Sequence, residues 1–272
     1  MKITYLNCGT MYPRGASLFV PYQERSCCIC MLIEAGDRLI LVDTGFGTKD
    51  MENPYQLGLF YQSLLNIQTD PEEPAVRQIE KMGFQPEDVR DIIVTHLDPD
   101  HTGGIPDFPH ANIHLSAIEL DSFEKPRGLK EKERKCKRHL AHGPNFVGHG
   151  TLSDEKWFGM DCMRGIPGLP PEIVLVPMPG HTRGQIGVAV KDGDRWILHC
   201  GDAYYVKEEF RQIGKAPIGI RGFRNFADMN RSQSLKTVAE IGRILREHGD
   251  EVTAIASHDL FEYRNIFGKP FD

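Results

Sequence analysis

The sequence has no apolar run that approaches the roughly 20 residues needed to cross a bilayer. Its first residues, MKITYLNCGT, alternate polar and apolar side chains and lack the apolar core of a secretion signal. It also has no basic tail, and 32 Lys and Arg residues against 38 Asp and Glu residues give a net charge of −6. We therefore expect a cytoplasmic protein with neither a membrane nor a nucleic acid as partner, since phosphate backbones bind clustered positive charge.

The cysteines do not suggest a disulfide framework, because there are seven of them and they are scattered along the chain. Cys27 and Cys30 have CxxC spacing, but no second CxxC is present to complete a zinc site. They lie in the apolar run CCICMLIEAG, where strand alternation places Cys28 and Cys30 on one face and Cys27 on the other. We expect buried structural thiols.

The chain of 272 residues contains no low-complexity linker, so we expect one domain over 1–272. The hairpin sequences EAGDRL (34–39) and KDGDRW (191–196) favour antiparallel pairing and a sheet-on-sheet core with outer helices. The segment 117–171, rich in charge, Gly and Pro, is expected to be a helical and loop insertion over one end of the sheets. Strands are predicted at 2–7, 28–35, 38–45, 91–96, 111–116, 172–180, 185–192, 195–202 and 252–259, and helices at 71–83, 116–125, 128–140 and 231–248.

Ionisable side chains crowd the loop THLDPDHTGG, which follows the predicted strand DIIVTH. His96, Asp98, Asp100 and His101 come directly after the strand end, and Pro99 restricts the backbone between the two aspartates. Imidazole and carboxylate together suit a divalent transition ion. A rigid strand followed by a short loop is a good support for such ligands.

Three other apolar runs each end in a further candidate ligand: His181 in PMPGHTRG, Asp202 in ILHCGD and His258 in AIASHD. With the four residues of the first loop they make seven candidate ligands, enough for two ions that share a bridging carboxylate.

These motifs in this order, preceded by LVDTG, resemble the metallo-β-lactamase superfamily over about Lys2 to Leu260. The resemblance implies an α+β fold, a four-layer αββα sandwich with its metal site at the edge between the two sheets. GDAYY places Tyr205 three residues after Asp202, as in the N-acyl-homoserine lactone hydrolases. The spacings of 21 residues from His181 to Asp202 and 56 from Asp202 to His258 are similar to those of the same group.

The resemblance also implies a ligand set. Asp202 would bridge two divalent ions, and Asp43 in LVDTG would orient ligand histidines through hydrogen bonds. The first ion would be held by His96, Asp98 and His181, and the second by Asp100, His101 and His258.

The sequence departs from the family pattern HxHxDH at Asp98, where the second histidine is expected. A carboxylate adds negative charge and hardens the first site, so Fe or Mn²⁺ are alternatives to the expected Zn²⁺. The flavodiiron branch also carries a carboxylate here, which leaves an iron-binding redox member open, although the chain is too short for that branch's flavodoxin domain.

Two ions that share a water lower its pKa towards neutrality, and the resulting bridging hydroxide can open a lactone or ester. We expect an N-acyl-homoserine lactone-like small molecule as substrate; a thioester or phosphodiester remains an alternative, and a homodimer is left open. Asp100 or Asp202 would relay a proton to the leaving alkoxide. Tyr205 would donate a hydrogen bond to the carbonyl oxygen, or else pack on the sheet edge, since one of Tyr204 and Tyr205 is expected in the core.

An acyl chain needs an apolar groove, for which Met11, Tyr12, Phe19, Phe46 and Phe60 are candidates, with ordinary loop packing as the alternative for each. Arg183 and the segment Arg221 to Arg224 are expected on a solvated face, with pairing to a substrate carboxylate or phosphate as the alternative. Seven histidines outside the pattern are expected to be surface or packed residues: His110, His114, His139, His142, His149, His199 and His248.

Overall fold

The computed structural model describes residues 1–14, 25–57, 62–63, 65–134, 136–211 and 216–268. Within these ranges ten strands form two sheets, of six strands in the order β1-β2-β3-β4-β5-β6 and of four in the order β10-β9-β8-β7. The strands are β1 Lys2–Met11, β2 Ser26–Ala35, β3 Arg38–Val42, β4 Val89–Ile93, β5 Asn112–Ser116, β6 Asn145–His149, β7 Ile173–Pro177, β8 Ile186–Asp192, β9 Arg195–His199 and β10 Val252–Ile255.

Both sheets are mixed, and both predicted hairpins pair antiparallel: β2 with β3 and β8 with β9. In the first sheet β3 runs parallel to β4, with Val42 opposite Ile93. In the second, β9 runs parallel to β10, with His199 opposite Ile255. Carboxyl ends of parallel neighbours meet at one sheet edge, so the loops after β3 and β4 lie side by side, as do those after β9 and β10.

Helices in the described ranges follow the predicted positions in part. The predicted helices at 71–83, 116–125 and 231–248 are present in shortened form, whereas the one predicted at 128–140 is broken into a short α-helix and a 3₁₀ turn at Lys137–Leu140. The helices are α1 Thr48–Glu52, α2 Ala75–Lys81, α3 Pro99–Thr102, α4 Ala117–Glu124, α5 Leu129–Glu133, α6 Glu208–Arg211, α7 Ile218–Ala227, α8 Arg231–Glu247 and α9 Leu260–Phe267.

Three apolar cores separate four layers. Alternate residues of one strand face different cores: Leu32 of β2 packs against α2 through Ile79, while its neighbour Ile33 packs between the sheets with Val188 of β8. A third core joins the second sheet to α8, which inserts Ile241. The layer order is therefore helix, sheet, sheet, helix, which confirms the predicted αββα sandwich.

The segment 117–171 is not made of helices and loops alone, so that part of the expectation is wrong. Its residues Asn145–His149 form β6, which pairs parallel to β5 and extends the first sheet at its edge. The sequence NFVGH has a single β-branched residue and ends in Gly-His, so it gives little strand signal. Backbone pairing with β5 makes it a strand.

The cysteines pack as the alternation of β2 predicts. Cys27 lies in a cluster with Ile255 and Leu260, and Cys28 lies in another with Met11 and Phe46. All seven cysteines are free thiols, and six of them are buried. Within the described ranges, none of the helices is both long enough and apolar enough to cross a membrane.

Candidate metal centre

The loops that follow β4, β7, β9 and β10 meet at one edge between the two sheets. They bring together the candidate ligands, which lie far apart in sequence. Each of the seven is less than a tenth exposed: His96, Asp98, Asp100, His101, His181, Asp202 and His258.

A first group of donor atoms comes from His96, Asp98 and His181. Asp98 Oδ2 lies 3.1 Å from His181 Nε2 and 3.4 Å from His96 Nε2. Donors about 2.1 Å from one tetrahedral ion lie about 3.4 Å apart, so these separations match those of ligands around a single cation.

A second group comes from Asp100, His101 and His258. His258 Nε2 lies 3.4 Å from Asp100 Oδ2 and 3.1 Å from Asp202 Oδ1, and His101 Nε2 lies 3.2 Å from that same Asp202 oxygen. These separations also match those of donors around one ion. The Cys28 side chain borders this group, since its sulfur lies within 4.8 Å of the donor atoms of Asp100 and His258.

Asp202 faces both groups. Its Oδ1 is directed to His101 and His258, and its Oδ2 lies 3.4 Å from His181 Nε2. Buried His96 Nε2, His101 Nε2 and Asp202 Oδ1 have no hydrogen-bond partner. Buried polar atoms are rarely left without a partner. These three unpaired atoms therefore fit a site in which they bind a pair of cations.

The outer nitrogens of three histidines are held so that Nε2 points inward. His101 Nδ1 donates to Asp43 Oδ2 (2.8 Å), and His258 Nδ1 donates to the carbonyl oxygen of Cys27 (2.6 Å). His96 Nδ1 donates to Thr95 Oγ1 (3.0 Å), which in turn donates to Asp43 (2.8 Å). Such bonds fix the tautomer and orientation of a ligand imidazole.

Close approach of the loops depends on Gly201, just before Asp202. Its φ of +53° lies in the left-handed region, and a Cβ there would come within 2.7 Å of Thr95 Oγ1. A side chain at this position would push Thr95 away from Asp43 and His96.

Tyr205 and Asp228 contact the outer nitrogen of His181. The Tyr205 hydroxyl is 3.0 Å from His181 Nδ1, and Asp228 Oδ1 is 3.6 Å from it. Tyr204 is fully buried and donates to Glu262 (2.7 Å), so it is the core member of the tyrosine pair. Sequence reasoning missed Asp228, because it lies in the irregular turn between α7 and α8 and carries no strand-end signal.

Arg224 does not lie on a solvated face, and the expectation for it is wrong. Its side chain is fully buried, with its guanidinium over the Tyr205 ring, 4.9 Å from the centroid. It pairs with Glu209 and Asp228, and these carboxylates make burial of the cation possible. Arg183 is partly exposed and pairs with Glu131 and Asp121.

Glu119 links two of the ligand loops, and the sequence analysis did not single it out. The buried carboxylate of Glu119 accepts from Leu97 N (3.1 Å), Thr182 Oγ1 (2.8 Å) and Gly184 N (3.1 Å). Ser116-Ala-Ile-Glu119 has the spacing of a helix capping box. That pattern signals a helix start, not a tie between loops.

The site carboxylates are held in their charged forms. Burial alone would raise the pKa of Asp202, but His258 and His101 lower it well below its usual value. Burial opposes the ionised form of Asp98 too, yet Arg134 and His96 lower the pKa of Asp98 well below normal. Ionised carboxylates are the forms that bind cations.

Only part of the predicted acyl groove can be placed. Met11 and Phe46 pack in a buried cluster with Cys28, so they belong to the core and do not line a groove. Tyr12 is partly buried beneath the guanidinium of Arg25, which lies 5.0 Å from its ring centroid. Phe19 and Phe60 lie outside the described residues.

The histidines outside the ligand set are surface or packed residues. His199 and His114 are buried, and they bond to the Ile29 carbonyl oxygen and to Asp91, respectively. His110 and His142 are exposed.

Comparison with known proteins decides the family. Residues 28–158 match the model of the metallo-beta-lactamase superfamily. Over 259 residues the chain is 39% identical to a probable metallo-hydrolase of Mycobacterium tuberculosis, covering 95% of this chain and 80% of that protein. The chain belongs to the metallo-β-lactamase superfamily. Like its relatives in that superfamily, it is a metallo-hydrolase.

Three lactonases extend the comparison. The chain is 27% identical over 216 residues to an N-acyl homoserine lactonase of a Bacillus species, covering 77% of this chain and 75% of that one. It shares its fold with an N-acyl homoserine lactone hydrolase solved with the product N-hexanoyl-L-homoserine at its metal centre, with TM-score 0.73, 19% identity and 98% coverage of each chain. A dizinc quorum-quenching lactonase has TM-score 0.61 and 17% identity, covering 95% of this chain and 89% of that chain.

Proposed function

We propose that this metallo-hydrolase uses two divalent ions to open a lactone or ester of a small molecule, most similar in chemistry to an N-acyl-homoserine lactone. The observation that carries the proposal is the orientation of Asp202, whose two carboxylate oxygens face two separate groups of donors. The similarity to N-acyl homoserine lactonases supports the substrate class.

The two donor groups supply the ligands for the proposed ions. His96, Asp98 and His181 would hold the first, Asp100, His101 and His258 the second, and Asp202 would bridge them. Two bound ions acidify a water to a pKa near 7 and polarise a carbonyl oxygen. The imidazoles favour Zn²⁺, and the additional carboxylate of Asp98 keeps Fe and Mn²⁺ as candidates.

Protein groups then position the substrate and move the proton. Hydrolysis adds the hydroxyl of water to the acyl carbon and a proton to the departing alkoxide. We assign the proton relay to Asp100, whose side chain is more exposed than that of Asp202, and place Asp202 second. Tyr205 is proposed to donate to the acyl carbonyl oxygen. Its hydroxyl oxygen accepts from His181 Nδ1 (3.0 Å), which leaves the phenol hydrogen for the substrate.

The test compares Asp202→Ala with the wild-type protein on a lactone panel, with acid release followed by pH-stat. The variant is expected to lose bound metal and at least about a thousandfold in turnover, because one carboxylate serves both donor groups. Asp194→Ala, in the exposed turn between β8 and β9, is the control and should keep both. Full turnover by Asp202→Ala would exclude the bridging role.

Substrate class is tested separately with a thioester and with bis-p-nitrophenyl phosphate. Preferred hydrolysis of either over every lactone would move the activity to another branch of the superfamily.

Asp98 also supports a second candidate, an iron-binding redox protein, because a carboxylate there favours harder ions. Metal analysis and the visible spectrum of protein purified without added metal distinguish the two. Two zinc ions and a colourless sample would exclude the redox function.

A further inference from the structure

Arg134, directly after α5, inserts a cation beside the first donor group. Its Nε donates to Asp98 Oδ1 (2.9 Å) and its Nη2 donates to Asp98 Oδ2, so the guanidinium binds the carboxylate with two bonds. Nη1 donates to the carbonyl oxygen of Ala227, which anchors the side chain to the end of α7. The Arg134 side chain is 14% exposed, so water screens this pair weakly.

The same Nη2 also lies 2.5 Å from His181 Nε2. Because a guanidinium only donates hydrogen bonds, the lone pair of this nitrogen is directed at Arg134. Asp98 Oδ2 and His181 Nε2 are two of the three donor atoms of the first group. Arg134 thus occupies the electron pairs with which Asp98 and His181 would bind an ion at the first donor group.

The second group contrasts with this arrangement. His101 Nε2 and Asp202 Oδ1 are buried without a hydrogen-bond partner, whereas in the first group only His96 Nε2 is orphaned in this way. An ion at the second group therefore displaces no hydrogen bond from these two atoms. An ion at the first group must displace Arg134 from Asp98, or else lie beside a like charge in a poorly screened site.

We propose that Arg134 competes with a metal ion for the first donor group, which makes the two metal positions unequal. The protein binds one ion tightly at the second donor group, with Asp100, His101, Asp202 and His258. An ion enters the first donor group only as Arg134 withdraws. This inference rests on the two-ion site of the proposed function, but it concerns affinity and not turnover.

Calorimetric titration of Zn²⁺ into metal-free protein tests the proposal. The wild-type protein should bind two ions in two resolved steps, the second at least about tenfold weaker. Arg134→Met, which keeps length and removes charge, should tighten the second step by about tenfold or more and leave the first unchanged. Arg138→Met is the control, since Arg138 is exposed and bonds to the Gln56 carbonyl oxygen; both steps should stay as in the wild type.

Arg134→Lys separates charge from shape and retains a cation if the methionine variant folds poorly. Arg134→Lys should still bind the ion of the first donor group weakly, as the wild type does. Two contrary results would overturn the proposal: equal affinity for both ions in the wild type, or a second step that stays the same or weakens in Arg134→Met, as expected if Arg134 supported the ion. Absence of lactone hydrolysis would refute the proposed function and leave this titration fully interpretable.

Discussion

Asp43 shows how one carboxylate can orient two of the proposed metal ligands. Its Oδ1 accepts from Thr95 N (2.7 Å), and its Oδ2 accepts from both Thr95 Oγ1 and His101 Nδ1, each at 2.8 Å. Burial opposes ionisation, but His101 lowers the pKa of Asp43 below its usual value, so the acceptor stays charged. One carboxylate thereby orients His101 directly and His96 through Thr95.

We expect Asp43→Asn to weaken metal binding by about 10- to 100-fold, the usual cost of losing a partner of a ligand histidine. The amide presents a donor where His101 or Thr95 needs an acceptor. Competition with a chromogenic chelator measures the affinity. Asp91→Asn is the matched control, because Asp91 is equally buried and bonds to His114, outside the metal centre. An affinity unchanged in Asp43→Asn would mean that the packing of the rings alone orients them.

The proposed ligands can be predicted from the sequence because each follows an apolar run at a strand end. Their partners cannot. Arg134 and Asp228 each contact His181 from 47 residues away, Arg134 from before it and Asp228 from after it in the sequence, and nothing in their local sequence marks them. Contacts of this kind depend on how separate elements pack, which local pattern does not record.

At the scale of elements, α4 holds together the loops of the two sheets that carry the proposed ligands. Through Glu119 it contacts the loop after β4 at Leu97 and the loop after β7 at Thr182 and Gly184. His96 and Asp98 flank the first of these contacts, and His181 precedes the second. The helix therefore fixes the distance between two loops that supply the first donor group.

Glu119→Gln is expected to lower the free energy of unfolding by about 1–3 kcal/mol, because an amide nitrogen replaces one acceptor and leaves buried donors unpaired. Urea denaturation of the metal-free protein measures this. Glu124→Gln, at the exposed end of the same helix, should change stability little. If the two variants lose equal stability, Glu119 does not act as the tie.

Elements with strong periodicity are predictable, and those that depend on packing are not. The sequence RSQSLKTVAEIGRILRE of α8 places its apolar residues on one face and is predicted nearly in full. Helix α7, IGIRGFRNFA, contains two glycines and β-branched residues and is not predicted. Its burial of Arg224 against Glu209 shows that tertiary contacts stabilise it.

For the whole molecule, the layer order follows from the alternation of the strands, since adjacent residues of β2 and β3 enter different cores. Edge strand β6 and the packing of the insertion do not follow from this alternation.

The stability of the whole molecule also depends on pH, in part through Glu73, which accepts from Asn7 Nδ2 (3.1 Å) and from Thr10.

Burial raises the pKa of Glu73 from a usual 4.5 to about 7, although bonds from Thr10 oppose this. Between these values the unfolded chain loses the proton while the folded chain keeps it, so stability falls as pH rises from 4.5 to 7. Glu73→Gln does not titrate and should remove this fall, which amounts to about 2–3 kcal/mol. Urea denaturation of the wild type and the variant at several pH values measures the free energy of unfolding. Glu80→Gln, at an exposed glutamate, is the control and should show the pH dependence of the wild type. Parallel curves for wild type and Glu73→Gln would refute the assignment.

The bond from His258 to the carbonyl oxygen of Cys27 has a consequence for mutational tolerance. Every amino acid supplies a backbone carbonyl oxygen, so no substitution at position 27 removes the hydrogen-bond acceptor of His258. Variants there would alter thiol chemistry and core volume while the ring of His258 keeps its hydrogen-bond partner. Variants at this position whose side chain fits the buried space should accordingly still bind metal in a saturation mutagenesis screen. The backbone of the strand, and not the side chain of residue 27, holds the ring of His258 in place.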